Sequence, residues 1–161
     1  MAMANAFSFR QADKVRKVFK RHGVRYLFLG KGGAILLGYS DTTQDADLFV
    51  QKDPTNGHRL VEALKSLKFP VDKRMENDIV RGKDFIQIRN GPFDLDLIFA
   101  PDGIEDFDGA WKRHIDVAGF PVCHIDDIIK SKEKARRMKD RESLPRLKAF
   151  REYWKKHRPH E

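Results

Sequence analysis

The chain has 161 residues, 40% of them hydrophobic and 35% charged, and carries a formal net charge of +8. That length can bury one sizeable core and nothing in the composition asks for a second, so residues 1–161 are expected to form a single domain. The lone cysteine, Cys123, excludes an internal disulfide and a thiolate zinc cluster, and no apolar stretch reaches the length of a membrane span.

Ser8 and Gln11 make a capping box, and Ala12, Val15, Val18 and Phe19 then recur at helical spacing until Gly23 offers a stop. Residues 24–30 read as a short buried strand that delivers the chain into the turn Gly30-Lys31-Gly32-Gly33. Residues 33–38 read as a short helix, Asp41-Thr42-Thr43 as a turn, and Asp45 to Val50 as the second strand. Asp53-Pro54 is a helix start, with Asp as N-cap and Pro in the first turn, for a helix carrying Leu60, Val61, Leu64 and Leu67. Residues 69–74 read as an edge strand. Beyond them, 84–89 and 93–99 read as antiparallel strands joined by an Asn90-Gly91 hairpin turn. Alternation puts Phe93, Leu95, Leu97 and Phe99 on one face and Asp94, Asp96 and Ile98 on the other. A short helix near 104–111, a hairpin around Gly119 and two helices, about 126–137 and 141–154, complete the chain. Leu144, Leu147, Phe150 and Trp154 share one stripe of the last helix. There is no repeat, heptad or low-complexity tract. The expected fold class is α/β in the α+β sense: a mixed, mostly antiparallel sheet flanked by helices.

The chemistry concentrates on the acidic strand. Asp45 and Asp47, two residues apart, point to the same side, where like charges repel unless a cation sits between them. Mg2+ takes hard oxygen ligands and usually one or two carboxylates, and a reaction using two ions needs a further carboxylate from another strand. Asp96 is the expected third ligand and Asp94 its rival, because a period of two cannot separate them. Glycines between a strand and a helix allow close backbone approach, and their N–H groups suit a phosphate; Lys31 would add a point charge and Thr43 a hydroxyl. The six histidines show no zinc spacing, the serines lack a nucleophile elbow, and Trp111, Tyr153 and Trp154 read as core or interface aromatics.

Gly32-Gly33, 11 intervening residues, then Asp45-Ala46-Asp47-Leu48 resembles the signature of the polymerase-beta-type nucleotidyltransferase superfamily. In a second register, Gly30, Gly38, Thr43, Asp45 and Asp47 resemble the pattern of its small bacterial members, and Asp127-Ile128-Ile129 through Lys139-Asp140 is similar to their closing helices. Lys31 and Asp41 depart from those patterns, and the acid of the later strand is duplicated. The resemblance implies a nucleotidyltransferase-like fold and transfer of a nucleoside monophosphate from a nucleoside triphosphate, ATP included, to a hydroxyl of RNA, protein or a small molecule. It further implies Mg2+ or Mn2+ held by Asp45, Asp47 and Asp96, and β and γ phosphates held by Gly30, Lys31, Gly32 and Gly33. Lys132, Arg137 and Lys139 match basic positions of the tail motif, where contact with nucleotide or acceptor is expected.

Charge is uneven along the chain. Residues 130–158 hold 13 Lys and Arg against 4 Asp and Glu, so the excess belongs to the closing helices at about 126–156. A positive face beside clustered carboxylates would attract a triphosphate or a polyanionic acceptor. The alternative function is a non-catalytic nucleic-acid- or protein-binding module, such as a component of a toxin–antitoxin pair. The amino terminus lacks a secretory signal pattern, which makes the cytoplasm the default expectation.

Overall fold

The computed structural model describes residues 7–135 and 138–158, with the side chains of 138–141 outside that description. In chain order the elements are α1 (Phe9–His22), β1 (Tyr26–Leu29), α2 (Gly30–Leu36), β2 (Asp45–Val50), α3 (Pro54–Ser66), α4 (Lys73–Arg81), β3 (Phe85–Ile88), β4 (Asp94–Ile98), α5 (Phe107–Arg113), β5 (Ile115–Val117), β6 (Phe120–Val122), α6 (Ile125–Ala135) and α7 (Met138–His157). The strands form one sheet in the order β3-β4-β2-β1-β6-β5. Neighbours are antiparallel at β1/β2, β3/β4 and β5/β6 and parallel at β2/β4 and β1/β6, which is the mixed, mostly antiparallel arrangement expected. All four residues of β1 are buried, as a central strand covered on both faces requires.

Local chemistry sets many boundaries. The Ser8 N–H donates to Gln11 Oε1 at 2.9 Å while Ser8 Oγ accepts from the Gln11 N–H, so the capping box opens α1; Gly23, at φ 70°, ends it. Asp53 caps α3 by accepting from the Asn56 N–H at 3.0 Å. The turn between β5 and β6 has φ of 51° at Ala118 and 88° at Gly119, the handedness a two-residue hairpin needs.

Two expectations are corrected. Residues 69–74 form no edge strand: Asp72 caps a helix, accepting from the Met75 N–H at 2.8 Å, and α4 follows. Gly57 makes the docking of α4 on α3 possible, since a Cβ there would lie 2.8 Å from the Val80 Cα. Between β3 and β4 the last pair is Ile88 with Leu95, so Asn90-Gly91 is part of a longer connection and not a two-residue turn. Aromatic packing accounts for the difference: Phe93 meets Phe69 edge to face at 5.1 Å and is drawn into the core beyond the turn.

Asn56, 3% exposed, fastens α3 to the ends of the two central strands. Its Oδ1 accepts from the Arg25 N–H at 2.8 Å, and its Nδ2 donates to the carbonyls of Gln51 at 2.9 Å and Arg25 at 3.1 Å. Asn56→Ala leaves these groups unpaired in the interior, and a loss of about 2–3 kcal/mol, read from the urea midpoint, is expected.

Candidate active site

β2 and β4 lie side by side and parallel, with Asp45 abreast of Asp94 and Asp47 abreast of Asp96. Ala46, Leu48, Leu95 and Leu97 point to the opposite side and are fully buried, so packing on that face holds all four carboxylates toward the other. One oxygen each of Asp45, Asp47 and Asp96 lies within 4.8 Å of the others. It is the one such group of His, Cys, Asp or Glu among the described residues. Asp94 stands outside it. The register therefore separates two acids that strand alternation leaves equivalent.

Asp96 is 5% exposed, and its Oδ1 lies 3.1 Å from Arg89 Nη1, at an angle that makes no hydrogen bond. Arg89 also approaches Asp94, at 3.9 Å. Burial, then the charges of Asp96 and Asp45, push the Asp47 carboxyl up to about 8, with Lys132 acting in the opposite direction. Burial also raises Asp96, against the pull of Arg89. This donor set fits a hard divalent cation: three convergent carboxylates, one with a buried oxygen lacking a hydrogen bond, are left under-neutralised by the protein's own cations.

Gly30 makes room for the group. α2 begins at Gly30, not after the glycine run, and this residue takes φ 64°, a left-handed conformation. A Cβ there would lie 2.2 Å from Asp47 Oδ2. The glycine thus serves twice, as a bend from β1 into α2 and as an empty space for the carboxylate.

A cavity of about 780 Å³ opens over the acids. Gly30, Lys31, Thr43 and Lys132 line it. Gly32 and Gly33 do not: Gly32 packs beside the Phe7 ring and Gly33 against the Phe28 carbonyl. Lys31 Nζ lies 3.5 Å from Asp41 Oδ2, and Arg146 Nη1 reaches the same oxygen at 3.6 Å, so Asp41 joins α2 to α7 at the rim. Ser131 of α6 and Ser143 of α7 also face the cavity. Arg137 and the side chain of Lys139 lie outside the described residues. Tyr153 is 60% exposed, whereas Trp111 and Trp154 pack against the core.

The Thr43 hydroxyl donates to the Asp45 carbonyl at 3.1 Å and lies 3.5 Å from Asp45 Oδ1. It orients the strand's first acid. Thr43→Val is expected to lower turnover about threefold to tenfold with the melting temperature little changed, checked by steady-state kinetics and thermal unfolding.

Arg89 and the spatial role of Gly30 escape a reading of the sequence. With a two-residue turn Arg89 would pair with Pro92; the longer connection brings it beside the acids instead. Gly30 carries a local signal, a glycine between strand and helix, but the carboxylate it accommodates comes from another strand.

No protein-family model matches the chain, and no curated protein matches it in sequence. Its structure is similar to the crystal structure of the lincosamide antibiotic adenylyltransferase LnuA bound to lincomycin, with a TM-score of 0.63 and 14% identity over 90% of this chain and 99% of that one. At that identity the likeness is one of architecture: this chain has a nucleotidyltransferase fold.

Proposed function

We propose that this protein is a metal-dependent nucleotidyltransferase that moves a nucleoside monophosphate from a nucleoside triphosphate to a hydroxyl group, with residues 1–161 acting as one domain. The observation that carries the reading is the convergence of Asp45, Asp47 and Asp96 within 4.8 Å beneath the cavity. Asp45 and Asp47 would hold Mg2+ or Mn2+ on the triphosphate side, and Asp96 would share in a site beside the acceptor oxygen. Bound there, the ions would neutralise phosphate charge and lower the pKa of the attacking hydroxyl.

The chain's own part is positioning. The acceptor hydroxyl gives up its proton to solvent, its oxygen forms a bond to the α-phosphorus, and the bond from that phosphorus to the bridging oxygen breaks to release pyrophosphate. Lys31 and Lys132 line the cavity and supply positive charge to phosphate oxygens, with Gly30 admitting close backbone approach. Asp41 holds Lys31 at 3.5 Å, so the lysine is placed before substrate arrives. Gly33 supports the reading indirectly, by letting α2 pack closely behind the site, where a Cβ would lie 3.0 Å from the Phe28 carbonyl oxygen; Gly32 has room for a Cβ beside the Phe7 ring. For Arg137 and Lys139 a role in nucleotide or acceptor contact is part of the same proposal.

Ser131, Lys132 and Ser143 bring α6 and α7 onto the cavity wall, which supports a catalytic over a purely binding role for the basic tail. The test is transfer of α-labelled nucleotide to pooled RNA, protein and small-molecule fractions, with MgCl2 and with EDTA. Label should move only with the metal. Equal transfer by wild type, Asp45→Asn and Asp47→Asn would remove the proposal.

A further inference from the structure

The cavity has two unlike sides. On the helix side Lys31, Lys132, Ser131 and Ser143 supply cations and hydroxyls suited to phosphate, interspersed with Ile128 and Ala135. On the side formed by β3, β4 and residues 99–102, the lining changes to Phe85, Ile98, Ala100 and Pro101, flanked by Asp84 and Asp102. Phe85 pairs with Ile98 across the strands, and the Phe99 N–H donates to the Asp84 carbonyl at 2.9 Å, so the apolar and acidic residues belong to one continuous wall. Among the described residues neither the Asp84 nor the Asp102 carboxylate has an ion-pair partner.

Phe85 is the informative residue. Three large apolar side chains are exposed among the described residues, Phe9, Phe85 and Tyr153, and of these Phe85 alone lines the cavity. An aromatic ring at 36% exposure on an edge strand is not explained by core packing. A ring bordered by carboxylates favours a cation with apolar surface, through its π face and through charge-assisted hydrogen bonds, and repels a phosphate backbone.

We infer that the acceptor is a hydroxylated small molecule carrying an ammonium group beside an apolar surface, seated on Phe85, Ile98 and Pro101 with its charge toward Asp84 and Asp102. The inference rests on the transfer reaction proposed above and names the acceptor class for that site. RNA, which the net charge of +8 suggests, then has no place on this wall. A nucleobase stacked on Phe85 is the competing occupant.

Three probes decide the matter in the full chain with MgCl2: dansylcadaverine, its neutral analogue lacking the terminal amine, and a fluorescein-labelled oligouridylate. Dansylcadaverine should bind at least about fivefold more tightly than the neutral analogue and lose that advantage in the Asp84→Asn, Asp102→Asn double variant. Phe85→Ala should weaken it by a similar factor, and Phe85→Tyr should restore it. A fluorescent ATP analogue should bind all three variants as it binds wild type. Equal binding of the charged and neutral probes, oligouridylate displacing dansylcadaverine, or Phe85→Ala acting on the ATP analogue instead would overturn the inference. Labelled transfer adds an independent arm: matched hydroxylated amines should be labelled and their N-acetyl forms labelled several-fold less. Transfer that survives Asp45→Asn and Asp47→Asn would remove the catalytic reading, while the probe measurements still report on the wall itself.

Discussion

Asp47→Asn is expected to cut the proposed nucleotidyl transfer by orders of magnitude and, in the same protein without metal, to raise the melting temperature. The two effects have one cause. Asp47 sits against Asp45 and Asp96, and burial together with their charges holds its carboxyl at about 8 instead of the ordinary 3.8. A carboxyl raised in the folded state keeps its proton where the unfolded chain has released it. The native state therefore binds more protons between those two values, and stability falls as pH rises from about 4 toward 8; below 4 the difference vanishes. Replacing the acid with an amide removes this penalty. At pH 7.5, in EDTA, the variant should melt roughly 3–8 °C above wild type, equivalent to about 1–2 kcal/mol for a chain of this size. The gap should close as the pH approaches 4. Turnover with Mg2+ should drop by roughly 10²–10⁴, the scale of losing a carboxylate that would hold the ion neutralising the transferred phosphate. Adding Mg2+ should stabilise wild type more than the variant. A variant that melts below wild type without metal would show that Asp47 is a structural carboxylate, held by partners rather than opposed by neighbours.

Gly30→Ala tests the same site from the backbone. The position has φ 64°, and the added methyl carbon would fall 2.2 Å from Asp47 Oδ2. Two penalties combine: a left-handed conformation that alanine adopts poorly, and a collision with a carboxylate that β2 prevents from withdrawing far. Destabilisation of about 1–3 kcal/mol is expected from the urea midpoint, and turnover should fall roughly 100-fold or more because the carboxylate leaves its place among the other two. Gly38→Ala provides the contrast. It also has positive φ, 117°, but its nearest neighbours would be the Phe150 ring at 3.8 Å, so it should lose stability without a comparable loss of turnover at saturating substrate.

Much of this architecture can be read locally because it is decided locally. Ser8 with Gln11, Asp53 before Pro54, and Gly23 are hydrogen-bonding or conformational devices that act within a few residues, and each does in the fold what its chemistry implies. The sharing of one face by Asp45 and Asp47, and by Asp94 and Asp96, follows likewise from the pleat. Residues 69–74 are the contrary case: the apolar residues around Phe69 suggest a strand, whereas Asp72 caps a helix and the docking of Val80 against Gly57 supplies the tertiary support for α4.

Lys31 marks the limit of that reading. As an isolated side chain after a glycine it is a phosphate ligand or a solvated lysine; in the fold it meets Asp41, which is shared with Arg146 of a helix more than a hundred residues away. Most of the elements, the caps of α1 and α3 and the charged side of each acidic strand are readable from local chemistry, because dihedral preference, caps and alternation are short-range. Long-range packing selects Asp96 over Asp94 as the partner of Asp45 and Asp47, gives the space at Gly30 to a carboxylate, and makes one wall of the cavity acidic in a basic chain. Those outcomes depend on the register of β2 against β4 and on the return of α6 and α7, and contacts between distant segments are set by the packing of the whole core.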